Sequence, residues 1–208
     1  MTKEINIFFS LLLGTILLSL FSTASAMPTL TEKVLKGYEL AQDWDLNSAE
    51  KLSNSLIKDH PKSGDAHFLN ARIEFLKGNY EHSWRILERV GDSYEEVMEF
   101  KKRVNATRKA TKNFVTRETE HFRFRYEEGP DEILLVYAEE VLEKSYKVLG
   151  KILDHYPEEK VLIEFYPDRQ PFSKISPLTL QDILTSGTVA LCKYNRIMMI
   201  SPGSLVRG

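Results

Sequence analysis

The chain has 208 residues, a formal net charge of −2 and 42% hydrophobic residues. This near neutrality gives no global attraction to nucleic acid or to anionic membranes, so no nucleic-acid partner is expected. The only cysteine is Cys192, which excludes an internal disulfide. A fold of this size must therefore be stabilised by its apolar core.

The N-terminus has the pattern of a cleavable export signal. The segment from Ile5 to Phe21 is almost entirely apolar, and Ala24-Ser25-Ala26 supplies the small residues that a signal peptidase accepts. We therefore expect residues 1–26 to be a signal peptide, the mature chain to begin at Met27, and the protein to be exported, either periplasmic or secreted. The alternative is an uncleaved anchor, because the apolar run is long enough to span a thinned bilayer. This segment is the only membrane contact that the sequence predicts.

Residues 27–113 have the periodicity of helices. Apolar residues recur at spacings of three and four from Leu30 to about Lys112, without strand-like alternation. The breaks between these runs carry turn residues, such as His60-Pro61 and Gly78-Asn79. The predicted helices span residues 30–42, 46–59, 65–77, 80–90 and 93–112.

Small residues in this helical region recur at a fixed spacing. Ala49 and Ser83 lie 34 residues apart (83 − 49), and the same offset relates Gly37 to Ala71. The pattern resembles two tetratricopeptide-repeat hairpins followed by a closing helix, although the large aromatic residue usual early in each repeat is missing. The resemblance implies that the helical repeats could bind a peptide or protein partner.

Residues 114–208 have a different rhythm, in which alternating strands flank one long helix. The pattern predicts an α+β arrangement for the chain, with helical hairpins followed by a β-α-β unit and a hairpin. The predicted segments are a strand at Glu120–Glu127, a helix from Pro130 to about Tyr156, a strand at Lys160–Tyr166, a loop at Pro167–Pro177, a short helix at Leu178–Leu184, and strands at Thr188–Cys192 and Arg196–Ser201 around the turn Lys193-Tyr194-Asn195.

No constellation of residues in the chain predicts catalysis or metal binding. None of the five histidines has a second histidine four residues away, the spacing that places two imidazoles on one helix face. Glu120 and His121 are neighbours in a predicted strand, so their side chains should point to opposite faces and cannot form an acid/base pair. Cys192 follows an apolar run and is interpreted as a buried, inert thiol.

One run of the chain is strongly basic. Between Phe100 and Asn113 there are six basic residues and no acidic one: Lys101, Lys102, Arg103, Arg108, Lys109 and Lys112. The pattern fits the solvated face of a closing helix, whose C-terminal cations suit the helix dipole. The alternative is a surface that binds phosphates or anionic lipid.

The second half of the chain resembles the front part of the peptidase MA-like domain found in exported bacterial proteins. The similar segments are His121–Gly129, Val161–Ser173 and above all Ser186–Gly208. In that family these strands precede a helix bearing His-Glu-x-x-His, which holds zinc and supplies a general base. The resemblance implies that this helix would begin just beyond Gly208. Zinc is thus expected for the full-length family, whereas no residue of this chain inherits a catalytic, cofactor-binding or metal-binding role.

The resemblance also implies a structural role for one strand. In related zinc peptidases, an edge strand ahead of the metal helix pairs with extended substrate. By position, that strand would consist of Gly187, Thr188, Val189, Ala190, Leu191 and Cys192. The alternative is an ordinary interior strand, because pairing with a peptide requires free backbone groups on one edge.

The last predicted strand suggests a truncation. Met198-Met199-Ile200 is apolar on both faces, as in a strand covered from two sides, and Ser201–Gly208 is too short to cover it. We therefore expect a truncated, inactive member of an exported family of repeat-containing zinc metallopeptidases, divided into residues 1–26, 27–113 and 114–208. The alternative is a non-catalytic exported module that binds a protein or peptide through its helical repeats.

Overall fold

The computed structural model describes residues 28–91, 95–129, 132–157, 159–193, 196–201 and 203, and it has the predicted α+β class. The expected signal peptide, the proposed turn at Tyr194-Asn195 and the end of the chain lie outside these residues. Within the described ranges, no helix is both long and apolar enough to cross a membrane.

The helical half consists of five helices at the predicted positions, the last two ending earlier than predicted. They are α1 (Leu30–Gln42), α2 (Leu46–Asp59), α3 (Gly64–Leu76), α4 (Tyr80–Leu87) and α5 (Glu95–Ala110). Local capping explains where they begin: Thr29 and Glu32 form a capping box before α1, and the Asp45 carboxylate accepts from the Ser48 N–H before α2.

The regularly spaced small residues lie where the helices approach closely. Ala49, Ala71 and Ser83 are fully buried, and the Ser83 hydroxyl donates to the carbonyl oxygen of Ala71 over 2.7 Å. A side chain at Gly37 would collide with Leu69 of α3. The regularly spaced small residues are therefore the positions at which the helices pack closely against one another.

The second half forms a five-stranded mixed sheet with three further helices. Its elements are β1 (Phe114–Glu118), β2 (Phe122–Glu127), α6 (Glu132–Leu153), β3 (Val161–Tyr166), α7 (Arg169–Ile175), α8 (Leu180–Ser186), β4 (Ala190–Lys193) and β5 (Arg196–Ile200). The strand order is β1-β2-β3-β5-β4. The central strands β2, β3 and β5 are parallel, whereas β1 and β4 are antiparallel at the two edges.

Several sequence-based boundaries in this half were wrong. Strand β1 was not predicted, and α7 lies in the segment predicted as a loop. Strand β2 begins at Phe122 rather than Glu120, because residues 119–121 form the turn of the β1–β2 hairpin. Strand β4 begins at Ala190 rather than Thr188.

The two faces of the sheet are covered by different elements. Helix α6 packs on one face, against Phe122 and Phe124 of β2 and Ile163 of β3. Helices α7 and α8 pack on the other face, where Met198 and Ile200 of β5 are fully buried. The expectation that β5 lacks a cover was therefore wrong for this face, because α7 and α8, which precede β5 in the chain, cover it.

The helical half is joined to the sheet by a buried polar network. Glu164 of β3 is fully buried, and its Oε1 accepts from the Tyr80 hydroxyl over 2.6 Å. Its Oε2 accepts from the Tyr166 hydroxyl over 2.6 Å and lies 3.0 Å from Nε of Arg196. Arg196 also donates from Nη1 to the Tyr80 oxygen over 2.7 Å. Because Tyr80 begins α4, this network ties the repeats to the centre of the sheet.

A glycine turn brings the repeats close to the sheet. Gly78 has a φ of 82°, which favours glycine, and an added Cβ would lie 2.7 Å from Leu162 of β3. Its carbonyl oxygen accepts from Nη1 of Arg125 over 2.9 Å, and Arg125 also pairs with Glu164. Burial raises the pKa of Tyr80 and of Tyr166, so both phenols remain protonated donors to Glu164.

Candidate functional site

The strand predicted to contact substrate lies at an edge of the sheet. Strand β4 pairs with β5 through residues 190–193, and no other described strand borders it. A further ladder bond runs from the N–H of Ile200 to the carbonyl oxygen of Val189, over 2.9 Å. Of the six predicted residues, Val189 to Cys192 therefore contribute to this edge.

The first two predicted residues do not belong to the strand. Gly187 is the C-cap of α8, with a φ of 66° in the left-handed region, where glycine is favoured. The Thr188 hydroxyl bonds instead with the Ser186 hydroxyl, at 2.6 Å. The sequence-based strand was thus too long at its N-terminal end, because a helix cap was taken as the start of a hairpin.

The side chains of β4 divide between the two faces of the sheet. In the β4–β5 pairing, Cys192 is opposite Ile197 and Ala190 is opposite Met199. Ile197 and Met199 pack with the apolar cluster beneath α6. Since directly opposed residues share a face, Cys192 and Ala190 lie on the α6 face. Both are exposed. The prediction that Cys192 is buried was wrong, because α6 does not extend over the edge strand.

Helix α6 is oriented on the sheet by two polar contacts on one flank. Glu139 accepts from Nη2 of Arg117 in β1 over 3.0 Å. Glu143 accepts from the backbone N–H of His121, just before β2, over 3.0 Å. This flank of α6 therefore faces the β1–β2 edge of the sheet, and its opposite flank is directed toward the side of the sheet where β5 and β4 lie.

The opposite flank of α6 is apolar and exposed. A helix turns by about 100° per residue, so positions 141, 148 and 152 lie about half a turn away from positions 139 and 143. Val141, Val148 and Ile152 are 60%, 57% and 70% exposed. Among the residues that the structure describes, none covers this flank.

These surfaces together form what we call the apolar corner. It consists of one flank of α6 and the adjoining part of the sheet face: Val141, Val148, Ile152, Ala190, Cys192, Ile197 and Met199. The sheet residues Ile197 and Met199 are half-buried, which places the corner beside the core rather than away from it. An exposed apolar surface next to an open strand edge is typical of an interaction site.

The basic run on α5 is engaged within the chain. Lys101 donates to the carbonyl oxygen of Val90 over 2.7 Å, and Lys102 pairs with Glu99 at 2.7 Å. The Arg108 guanidinium lies 5.2 Å from the Trp84 ring centroid and 3.3 Å from Glu81. These contacts favour the interpretation of the run as a helix face over that of a phosphate-binding surface.

Glu120 and His121 are closer than the sequence predicted. Because both lie in the turn between β1 and β2, the alternation that separates strand neighbours does not apply to them. The Nε2 atom of His121 lies 3.8 Å from Oε1 of Glu120, and Glu143 of α6 contacts the same imidazole. The argument that strand alternation keeps the side chains of Glu120 and His121 apart was therefore wrong.

Comparison of the chain with protein-family models, with curated proteins and with solved structures finds no match. The function is therefore argued from the apolar corner and the edge strand beside it.

Proposed function

We propose that the chain is the non-catalytic front portion of an exported zinc-metallopeptidase-type domain, whose apolar corner receives an amphipathic helix. The observation that carries the proposal is the exposed apolar flank of α6, together with the half-buried Ile197 and Met199 and the exposed Ala190 and Cys192 on the same face of the sheet. The amphipathic helix would carry the metal ligands. The apolar corner would be the surface on which that helix packs, and we call this surface the seat.

The dimensions of the corner suit one helix. Strands in a sheet lie about 4.8 Å apart, so β5 and β4 together offer a width of about 10 Å. A helix with its side chains is about 10–12 Å across. From Val141 to Ile152 the flank is about 16 Å long at 1.5 Å per residue, or three helical turns. A single helix beside α6 would complete the layer on this face.

The occupant must be apolar on two sides, because it would contact both α6 and the sheet. Its remaining face would point to solvent and would carry His-Glu-x-x-His. The adjoining strand β4 would then run beside that polar face. Its open edge supports pairing with an extended peptide through main-chain hydrogen bonds. In this arrangement, Val189 to Cys192 position substrate without taking part in the chemistry.

The seat can be tested with the single cysteine of the chain. An environment-sensitive fluorophore on Cys192 would report on the corner, since this thiol is exposed on the α6 face. The probe is a synthetic amphipathic helix of about 18 residues, or five turns, with leucines on two sides and His-Glu-x-x-His on the third. We expect a saturable blue shift of the emission when this peptide binds.

The variant that tests the site is Val148→Glu. It should weaken peptide binding about tenfold or more, because an unpaired carboxylate at an apolar contact costs several kcal/mol. The matched control is Leu35→Glu on α1, an equally exposed apolar residue outside the corner, which should leave binding unchanged. Equal binding by both variants, or a failure of the labelled chain to respond to the peptide, would refute the proposed seat.

A further inference from the structure

The imidazole of His121 is held more rigidly than a surface histidine requires. Its Nδ1 lies 2.7 Å from Oε2 of Glu143, while the other oxygen of that carboxylate accepts from the backbone N–H of His121. The ring stacks on Tyr146, with centroids 3.8 Å apart and planes inclined by 22°. The backbone is fixed as well, because its carbonyl oxygen accepts from the N–H of Val161.

These contacts determine which ring nitrogen is available. Both oxygens of the Glu143 carboxylate accept from His121, one from the ring Nδ1–H and the other from the backbone N–H. With its proton on Nδ1, the ring keeps its lone pair on Nε2. Nε2 points toward Glu120, whose Oε1 lies 3.8 Å away.

We propose that the β1–β2 turn is a zinc-binding site, with Nε2 of His121 and the carboxylate of Glu120 as protein ligands and water completing the coordination. Ligand atoms from Glu120, His121 and Glu143 all lie within 4.8 Å of one another. Zinc bonds to imidazole nitrogen and to carboxylate oxygen are about 2.0–2.2 Å long, so one ion fits between Nε2 and Oε1 with a small movement of the exposed Glu120.

Glu143 is the positioning residue of this site. A metal-bound histidine commonly donates its other N–H to a carboxylate, which fixes the ring and makes the free nitrogen a better ligand. The stacking of Tyr146 restricts the same ring from its face. Tyr146 is itself held by a hydrogen bond to the carbonyl oxygen of Pro157, 3.0 Å away. The site is thus assembled from a hairpin turn and one face of α6.

The mixed ligand set distinguishes zinc from calcium and magnesium. Imidazole together with carboxylate favours zinc and its transition-metal neighbours, whereas calcium and magnesium prefer all-oxygen sites. The site lies at the end of the sheet where β2 begins, on the flank of α6 opposite the apolar corner. It therefore does not depend on the proposed seat, and failure of either proposal leaves the other standing.

The test is a calorimetric titration of the untagged chain with Zn²⁺, in a Cys192→Ser background that removes the exposed thiol as a competing ligand. We expect one saturable site per chain and no comparable heat with Ca²⁺ or Mg²⁺. His121→Ala should abolish binding. Glu120→Gln, an exposed change that spares the fold, should weaken it about tenfold, and Glu143→Gln should weaken it about 10–100-fold, as expected for the hydrogen-bond partner of a metal-bound histidine.

The matched control is His82→Ala, because His82 is an exposed histidine that also lies near a carboxylate, 3.7 Å from Glu74. Zinc affinity should not change in this variant. The absence of a saturable site in the Cys192→Ser chain would overturn the proposal, and so would zinc binding that survives His121→Ala.

Discussion

Removing the Tyr80 hydroxyl perturbs the buried network at the point where the two halves meet. In Tyr80→Phe, Glu164 loses a donor at 2.6 Å and Arg196 loses an acceptor at 2.7 Å, while both side chains stay buried. A hydrogen bond to a charged group contributes about 1.5–3 kcal/mol, and breaking a buried ion network costs about 3–5 kcal/mol. We therefore expect the free energy of unfolding to fall by about 2–4 kcal/mol.

This change should be visible in both thermal and urea denaturation. For a chain of this size, each kcal/mol lowers Tm by about 2–4 °C, so Tyr80→Phe should lower Tm by about 4–16 °C. The matched control is Tyr137→Phe, which removes the hydroxyl of an exposed tyrosine on α6 and should change stability by less than about 0.5 kcal/mol. A double-mutant cycle of Tyr80→Phe with Glu164→Gln should give a coupling energy of about 0.5–3 kcal/mol. Equal stability of Tyr80→Phe and Tyr137→Phe would refute the assigned role of the network.

Three further predictions concern other parts of the chain. The pKa of Glu143 is lowered to about 2 in the folded protein, so its stabilising contribution is present above the ordinary glutamate pKa of about 4.3 and is lost as the pH falls from there toward 2. Glu143→Gln should therefore reduce the loss of stability over this pH range. An unchanged acid-unfolding curve would contradict the lowered pKa of Glu143. The thiol of Cys192 should react fully with Ellman's reagent in the native protein, whereas a requirement for denaturant would contradict its exposure on β4. Mass spectrometry of exported material should give an N-terminus at Met27, and recovery of membrane-embedded chains that retain Met1 would favour an anchor instead.

The helices could be predicted because their signals are local. Apolar spacing, N-caps and turn residues all lie within a few positions of each helix end, as at Thr29 and Asp45. Strand β1 was missed because only Phe114 and Val115 are apolar in it, and its pairing with β2 defines it instead. Helix α7 was taken as a loop because it contains Pro171, which the first turn of a helix tolerates.

The buried network could not be predicted, because its members are distant in sequence. In the strand VLIEFY, the alternation gives no reason to bury Glu164 rather than expose it. Its partners come from α4 and β5 and meet it only through tertiary packing. The cover of β5 was missed for the same reason. Residues after the strand were expected to supply it, whereas Phe172, Ile175 and Ile183, all earlier in the chain, do so.

The candidate site was partly predictable. The segment around Ala190–Cys192 was placed at a substrate edge by family resemblance, and the sheet order puts it at an edge. In the sequence, apolar residues such as Val141 form a stripe at helical spacing along α6, and the stripe does not mark which of them are exposed. Which part of that stripe is exposed depends on the contacts of Glu139 and Glu143 with the β1–β2 hairpin, which periodicity alone does not reveal.

The central claim is that the apolar corner is the seat of a metal-binding helix, and the genomic DNA downstream of codon 208 tests it most directly. If the claim is correct, roughly the next twenty codons, in frame or in a shifted frame, encode an amphipathic helix with two histidines four residues apart and a glutamate after the first. That spacing puts both imidazoles on one helix face, where they can share a metal ion. Downstream DNA that encodes no such helix would contradict the claim.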